Sequence, residues 1–216
     1  MELQGHGTRT GISVSGEGKA AGRPDTMTLT LGVSILDKSV ELATAEARRR
    51  AGAVFAALIE AGVGEDDIQT SWYSVWPDWD YKGGGRRLRG YRASNDVTLK
   101  TCDVENAGRI IDAAVAAGGN ATTVGTPRFT IEDDSGMLEL ARLAAWNDAR
   151  GKAEQLARLS GVRLGVPLEI VESPETSPSV FLADSFAESG SPGDTPVRAG
   201  MEELVVSLRV RFAIEP

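Results

Sequence analysis

From Met27 to Ile35 the chain alternates without a slip. Met27, Leu29, Leu31, Val33 and Ile35 fall on one side, and Thr28, Thr30, Gly32 and Ser34 on the other. Only an extended strand sends neighbours to opposite faces, so this stretch prescribes a sheet with one wet face and one face that needs cover. Three stretches without alternation can supply the cover. The first spans 39–61, opens at Ser39 as N-cap, carries Leu42, Ala45, Ala53, Leu58 and Ile59, and ends at Gly62 and Gly64. A second helix is expected over 104–117, capped by Asp103, with Ile110, Ile111, Ala114 and Val115 apolar. The third and longest runs over 135–159 between Ser135 and Gly161, and its leucines (Leu138, Leu140, Leu143, Leu156 and Leu159) with Ala144 read as the buried side.

The remaining strands follow from shorter alternations. Ile12, Val14, Gly16 and Gly18 form one small-residue face over 12–19, and the turn Arg23-Pro24-Asp25 predicts a hairpin joining this strand to Met27–Ile35. A second hairpin is expected from 68–81 and 88–101 around Gly83-Gly84-Gly85, with Pro77 marking a sheet edge. Strands over 122–132, 165–172 and 202–214 complete the order ββαββαβαββ. This is an α+β fold with mixed or antiparallel sheets and helices packed on one face. Residues 1–11 read as a flexible N-terminus and 12–214 as one domain. Within it, 173–200 reads as a mobile loop, because Pro174, Pro178, Pro192 and Pro196 lie there among Ser, Glu, Asp and Gly.

Little in the chain points to catalysis. The 216 residues carry a formal charge of −8, opposite to the clustered cationic surface that nucleic acid requires. No run reaches the roughly 18 apolar residues of a membrane helix. Gly16-Glu17-Gly18-Lys19-Ala20-Ala21-Gly22 departs from a dinucleotide fingerprint: its third glycine is one residue late, and a proline turn follows where the phosphate-binding helix must begin. The single histidine, His6, stands near the terminus, and a Ser-His hydrolase or a zinc site needs one held by its neighbours. Cys102, the single cysteine, reads as a small buried hydrophobe. Glu65-Asp66-Asp67 and Glu132-Asp133-Asp134 each precede a regular element, where carboxylates favour a helix start. No catalytic, cofactor-binding or metal residue is therefore named, and no cofactor. Residues 1–11 lack an apolar stretch, so the sequence as it stands reads as cytoplasmic, or as periplasmic or secreted if a leader has been removed.

Two features exceed an ordinary surface. Of four tryptophans, three tyrosines and five phenylalanines, five fall in one strand: Trp72, Tyr73, Trp76, Trp79 and Tyr81. Aromatics on both sides of a strand ask for burial twice or for a partner, and aromatic side chains carry much of the energy of interfaces. Arg86, Arg87 and Arg89 make the following turn a basic spot on an acidic chain. With Phe181 and Phe186 from the proline-rich segment, these residues form the candidate interface. Its expected partner is a second copy of the chain; a binding or adaptor role, holding another protein or an apolar ligand, is the alternative.

The chain also resembles the SIMPL-domain family of bacterial envelope and stress-defence proteins. The resemblance is carried by Gly62-Val63 with Asp67-Ile68-Gln69-Thr70, and by Gly90-Tyr91-Arg92-Ala93-Ser94-Asn95. Ala117-Gly118-Gly119 before Phe129 adds to it. Most specific is Ala149-Arg150-Gly151-Lys152-Ala153-Glu154-Gln155-Leu156-Ala157 with the exit through Gly161-Val162 to Leu164-Gly165. The resemblance implies an α+β fold, assembly into large homo-oligomers, a scaffolding or protective role in oxidative stress, and no established catalytic residue to carry over.

Overall fold

The computed structural model describes residues 11–81, 85–173, 179–181 and 195–216. Its elements are β1 (Gly11–Gly22), β2 (Thr26–Asp37), α1 (Val40–Glu60), β3 (Ile68–Asp80), β4 (Arg87–Thr101), α2 (Ala107–Gly118), β5 (Thr122–Val124), β6 (Arg128–Thr130), α3 (Ser135–Leu159), β7 (Arg163–Glu172), β8 (Ser179–Phe181) and β9 (Met201–Glu215). The class is α+β with antiparallel sheets. The chain forms two compact units: β1, α3, β7, β8 and β9 make one, and β2 to β6 with α1, α2 and residues 195–199 make the other.

In the second unit the strands run β3-β4-β2-β5, with β6 also paired to β2. The face expected from the Met27–Ile35 alternation is the core. Met27, Leu29, Leu31 and Val33 are buried with Ala93 and Leu99 of β4 under Ala43, Ala47, Val54 and Leu58 of α1 and Ile110 and Ala114 of α2. Ser39 caps α1 as expected, accepting from the Leu42 N–H. The start of α2 differs from the expected one. Asp103 accepts from the Asn106 side chain instead of a helical N–H, and the helix begins at Ala107. The strand expected over 122–132 is two three-residue strands, because Pro127 cannot continue the ladder. Near the start of β9, Thr195 donates its N–H and its hydroxyl to the Asp112 carboxylate at 2.8 and 2.5 Å, and Val197 packs on the core.

On the outer side of α1, Glu46 accepts from Arg49 at 2.6 Å and from Arg50 at 2.8 Å, and these bonds hold its carboxyl down to about 2. A carboxyl depressed in the folded state adds stability that is complete above its unfolded value and is lost as pH falls through the folded one. The stability difference between the wild type and Glu46→Gln is therefore expected to be constant at neutral pH and to vanish between about pH 4.5 and 2. Urea midpoints measured across that window check it.

The first unit corrects the expected hairpin. β1 pairs with β9 from Gly11↔Ala213 to Gly22↔Glu202, whereas β2 pairs with β4. The turn at Pro24 passes the chain from one sheet to the other. Asp25 anchors the crossing, since its N–H donates to the Thr130 carbonyl and its carboxylate accepts from the Glu132 N–H. The two strands differ in partner because they differ in bulk. The glycine face of β1 fits only a helix that comes very close, whereas the large side chains of β2 need a thicker layer.

That close helix is α3, and its buried side is not the leucine side. Ala141, Ala145, Ala149, Ala153 and Ala157 are buried in a four-residue stripe, while Leu140, Leu143, Leu156 and Leu159 are exposed. A Cβ added to Gly16 would lie 2.6 Å from the Ala149 nitrogen, and one on Gly18 would overlap the Ala141 carbonyl oxygen. Helix backbone and strand backbone touch here, and only Ala against Gly leaves room. Below the stripe sit Leu204, Val206, Leu208, Val210 and Phe212 of β9, with Trp146 tilted against Phe212 at 5.8 Å. Polar ties fix the helix: Asp148 accepts from the Glu17 N–H at 2.9 Å, Lys152 donates to the Ser15 carbonyl at 3.0 Å, and Arg142 pairs with Glu172 of β7. The Gly16–Gly22 segment is thus strand throughout. Residues 1–10 of the expected flexible N-terminus lie outside the described residues, and Gly11 is already the first residue of β1. Most of the expected 173–200 loop also lies outside them, apart from Ser173, β8 and residues 195–200.

Candidate interaction surface

The aromatic strand β3 is an outer strand of its sheet, with β4 on one side and no strand on the other among the described residues. This is where the sequence places Pro77. Its faces are set by a bulge that the alternation alone does not show. Ile68 and Thr70 lie opposite Leu99 and Val97, then Ser71 is skipped and Trp72 lies opposite Asp96. The extra residue turns Trp72, Ser74 and Trp76 away from the helices and onto the wet face of the sheet. There they join Ser94 and Arg92 of β4 and Ser34 and Thr30 of β2.

That face is a connected polar network. Arg92 donates twice to Asp78, at 3.1 and 2.9 Å, and once to Ser34 at 3.2 Å; Ser94 and Ser34 hydroxyls share a bond at 3.3 Å. Thr30 and Thr98 hydroxyls meet at 3.1 Å. Asp96 packs over Gly32, and its burial pushes its carboxyl up while the Thr123 side chain pulls it down. The Trp72 indole N–H donates to the Ser74 hydroxyl at 3.1 Å, which fixes the orientation of that ring. Network members such as Asp78 and Ser34 escaped the sequence reading, because their meeting depends on a register that no local pattern records.

The predicted interface residues divide clearly. Trp72, Tyr73, Trp76 and Tyr81 are 58 to 71% exposed, so the strand is not an internal core. Trp79 is half-buried, displaced by a second irregularity at Asp78/Trp79. The Arg86 guanidinium lies 3.7 Å from its ring centroid, and its indole N–H is buried with no hydrogen-bond partner among the described residues. Arg87 and Arg89 are exposed, and Arg89 pairs with Asp78. Phe181 belongs to β8, which pairs with β9, but its side chain lies outside the description, and Phe186 lies outside the described residues altogether. β3 and β4 thus bring the aromatic and basic residues between Trp72 and Arg89 to one sheet edge.

Residues weighed for chemistry sit in plain surroundings. Cys102, expected buried, is exposed just beyond β4, 4.0 Å from the Thr26 hydroxyl; the strand's last inward position is taken by Thr101. His6 lies outside the described residues. Glu132 pairs with Lys100, and the Asp133 carboxyl is held low at the start of α3 by the Ser135 side chain and by the Ser135 N–H, from which it accepts. The Asp148 carboxyl is also held low, by Lys152 and the Glu17 N–H, and that of Glu172 by Arg142. Among the described residues no three His, Cys, Asp or Glu side chains group as metal ligands, and no helix is long and apolar enough to cross a membrane. A shallow groove of about 500 Å³ is lined by Ser34, Ile35, Leu36, Arg50, Gly119, Asn120 and Ala121. Its one ionisable side chain, Arg50, is engaged by Glu46 and the Gly118 carbonyl.

Known proteins are similar in sequence to this chain along most of their length. The 26 kDa periplasmic immunogenic protein of Brucella melitensis is 29% identical over 213 residues, covering 94% of this chain and 84% of the relative. The YggE protein of Escherichia coli, itself described as uncharacterised, is 26% identical over 208 residues, covering 95% of this chain and 83% of the relative. The model of the SIMPL family, described as a protein of unknown function (DUF541), matches residues 12–212. The match takes in nearly all of both units, and the chain belongs to the SIMPL family.

Proposed function

We propose that this protein is a non-enzymatic, self-assembling scaffold with a protective role in the bacterial envelope under stress, built from copies that meet through the β3–β4 ribbon. The observation that carries the reading is an outer strand presenting Trp72, Tyr73 and Trp76, each more than half exposed in the single chain. Large aromatic side chains left in water are costly, and burial against a partner recovers roughly 25 cal/mol for each Å² covered. The periplasmic name of the Brucella relative supports placing the protein in the envelope. A shallow groove without converging ionisable side chains supports a scaffold over an enzyme.

Light scattering after size-exclusion chromatography tests the assembly. A stable mass of at least two chains is expected at micromolar concentration, and a lone 22.8 kDa species across that range would overturn the reading. The second reading, a binding module, is favoured by the Trp79 indole N–H under Arg86, which has no hydrogen-bond partner among the described residues. It predicts a tryptophan emission shift on adding a partner, without a change in oligomer mass.

A further inference from the structure

The two long edges of the second unit's sheet are unequal. On one side the sheet ends in β5 and β6, three residues each, broken by Gly125 and Pro127, which is how natural sheets blunt an edge. The other side ends in β3, thirteen residues long, with no strand paired to its outer side among the described residues. An edge of that length without cover is a template for another strand.

We infer that β3 pairs antiparallel with β3 of a second copy about a twofold axis through Ser74, joining two five-stranded sheets into one. This rests on the self-assembly reading above and adds to it the surface, the symmetry and the register.

Three independent features converge on that register. First, Ser74 lies midway between Trp72 and Trp76. The axis therefore sets Trp72 directly opposite Trp76 of the second copy, and Trp76 opposite its Trp72, on the wet face of the sheet. Four indoles then form one cluster, and cross-strand aromatic pairs of this kind stabilise a sheet.

Second, the backbone suits it. Pro77 has no N–H and belongs where its nitrogen faces away from β4. Tyr73 and Val75 share its parity with no bulge between, so their N–H and C=O groups face outward and exchange bonds across the axis. Trp72, Ser74 and Trp76 then take the non-hydrogen-bonded positions, where facing Cα atoms come within about 4.5 Å and side chains are closest. The bulge at Ser71 and the proline at 77 confine the ladder to Trp72–Trp76.

Third, charge locks the ends. Beyond the ladder the two strands continue antiparallel, so the Ile68 end of one copy lies alongside the Asp80 end of the other, which brings the acidic turn Glu65-Asp66-Asp67 towards the basic end of the second copy's hairpin. Arg87 is registered beside Asp80, and Arg86 lies over Trp79. The gap is about two strand spacings, near 10 Å, within an arginine's reach and about one Debye length. Neither these two arginines nor the three acids take part in an ion pair among the described residues. The twofold makes the match twice, and a shift of the register removes it.

A cysteine at the axis tests the register. In a Cys102→Ser background, which removes the exposed native thiol, Ser74→Cys is expected to give a covalent dimer within minutes of adding diamide, while Ser207→Cys on β9 gives none. An assembly seen by light scattering in which Ser74→Cys fails to cross-link overturns this pairing and leaves self-assembly standing. A monomer at every concentration overturns both.

Charge reversal is the second arm. A Glu65→Lys, Asp66→Lys, Asp67→Lys variant and an Arg86→Glu, Arg87→Glu variant are each expected to weaken dimerisation roughly tenfold or more at low salt. An equimolar mixture of the two should return to within roughly threefold of the wild type, because each mixed interface is again complementary at both ends. Failure of the mixture to recover overturns the register.

Discussion

Gly18→Val is expected to destabilise the β1–α3–β9 unit by about 3 kcal/mol or more, the upper end of what overpacking a core costs. A Cβ at this position overlaps the backbone of α3 at the Ala141 carbonyl and at the Ala145 nitrogen. Backbone cannot rotate aside as a side chain can, so the helix must lift off the sheet. Lifting it opens the packing of all five stripe alanines and of Val206 and Val210 beneath them. Gly151 gives a contrast of opposite sign on the same helix. It lies inside α3 with nothing within 4 Å of its added Cβ, so Gly151→Ala should stabilise by about 0.5–1 kcal/mol. Guanidinium unfolding followed by hydrogen exchange at β9 amides separates this unit from the other. If Gly18→Val left β9 protection at the wild-type level, the contact between helix and strand would be wrong.

Leu99→Ala is expected to cost the second unit about 2–5 kcal/mol, the usual range for truncating a fully buried leucine. Leu99 has no exposed surface and lies between Leu29 and Ile68, at the point where β2, β4 and β3 are joined side by side. The cavity would open beneath α1, whose buried residues are mostly small and have little side chain to move into it. Leu159→Ala is the control. That residue is 77% exposed at the end of α3, and its truncation should fall within about 0.5 kcal/mol of the wild type. A cost below about 1 kcal/mol for Leu99→Ala would mean that the core repacks freely, contrary to its tight burial.

The sequence made local structure legible where periodicity and caps acted together. The alternation from Met27 to Ile35, the Ser39 cap and the antiparallel pairing of β3 with β4 all reappear, because each depends on neighbours in the chain. Partner choice was less legible. β1 and β2 look like a hairpin at the turn, but β1's glycines suit a helix in contact and β2's leucines do not. The buried side of α3 was misread for a related reason. Leucine is the usual core residue, yet the space between α3 and β1 admits only alanine, and the leucines were left outside. At the candidate surface the aromatic and basic residues were readable as a cluster. The bulge at Ser71, which decides that Trp72 and Trp76 share the wet face, was not, because a single extra residue leaves no trace in composition.

Strand β9 lies at the centre of its sheet and is also the last element of the chain, with β1, the first, as its neighbour along their whole length. During synthesis the Pro24–Glu132 stretch can close as soon as it leaves the ribosome, since most of its unit's strands and both its helices are already present. β1 and the alanine side of α3 must wait until β9, far along the chain, has been translated. For that interval a glycine-lined strand and a half-covered helix stand open, so a chaperone or protease acting on the nascent chain meets this unit in its least protected form.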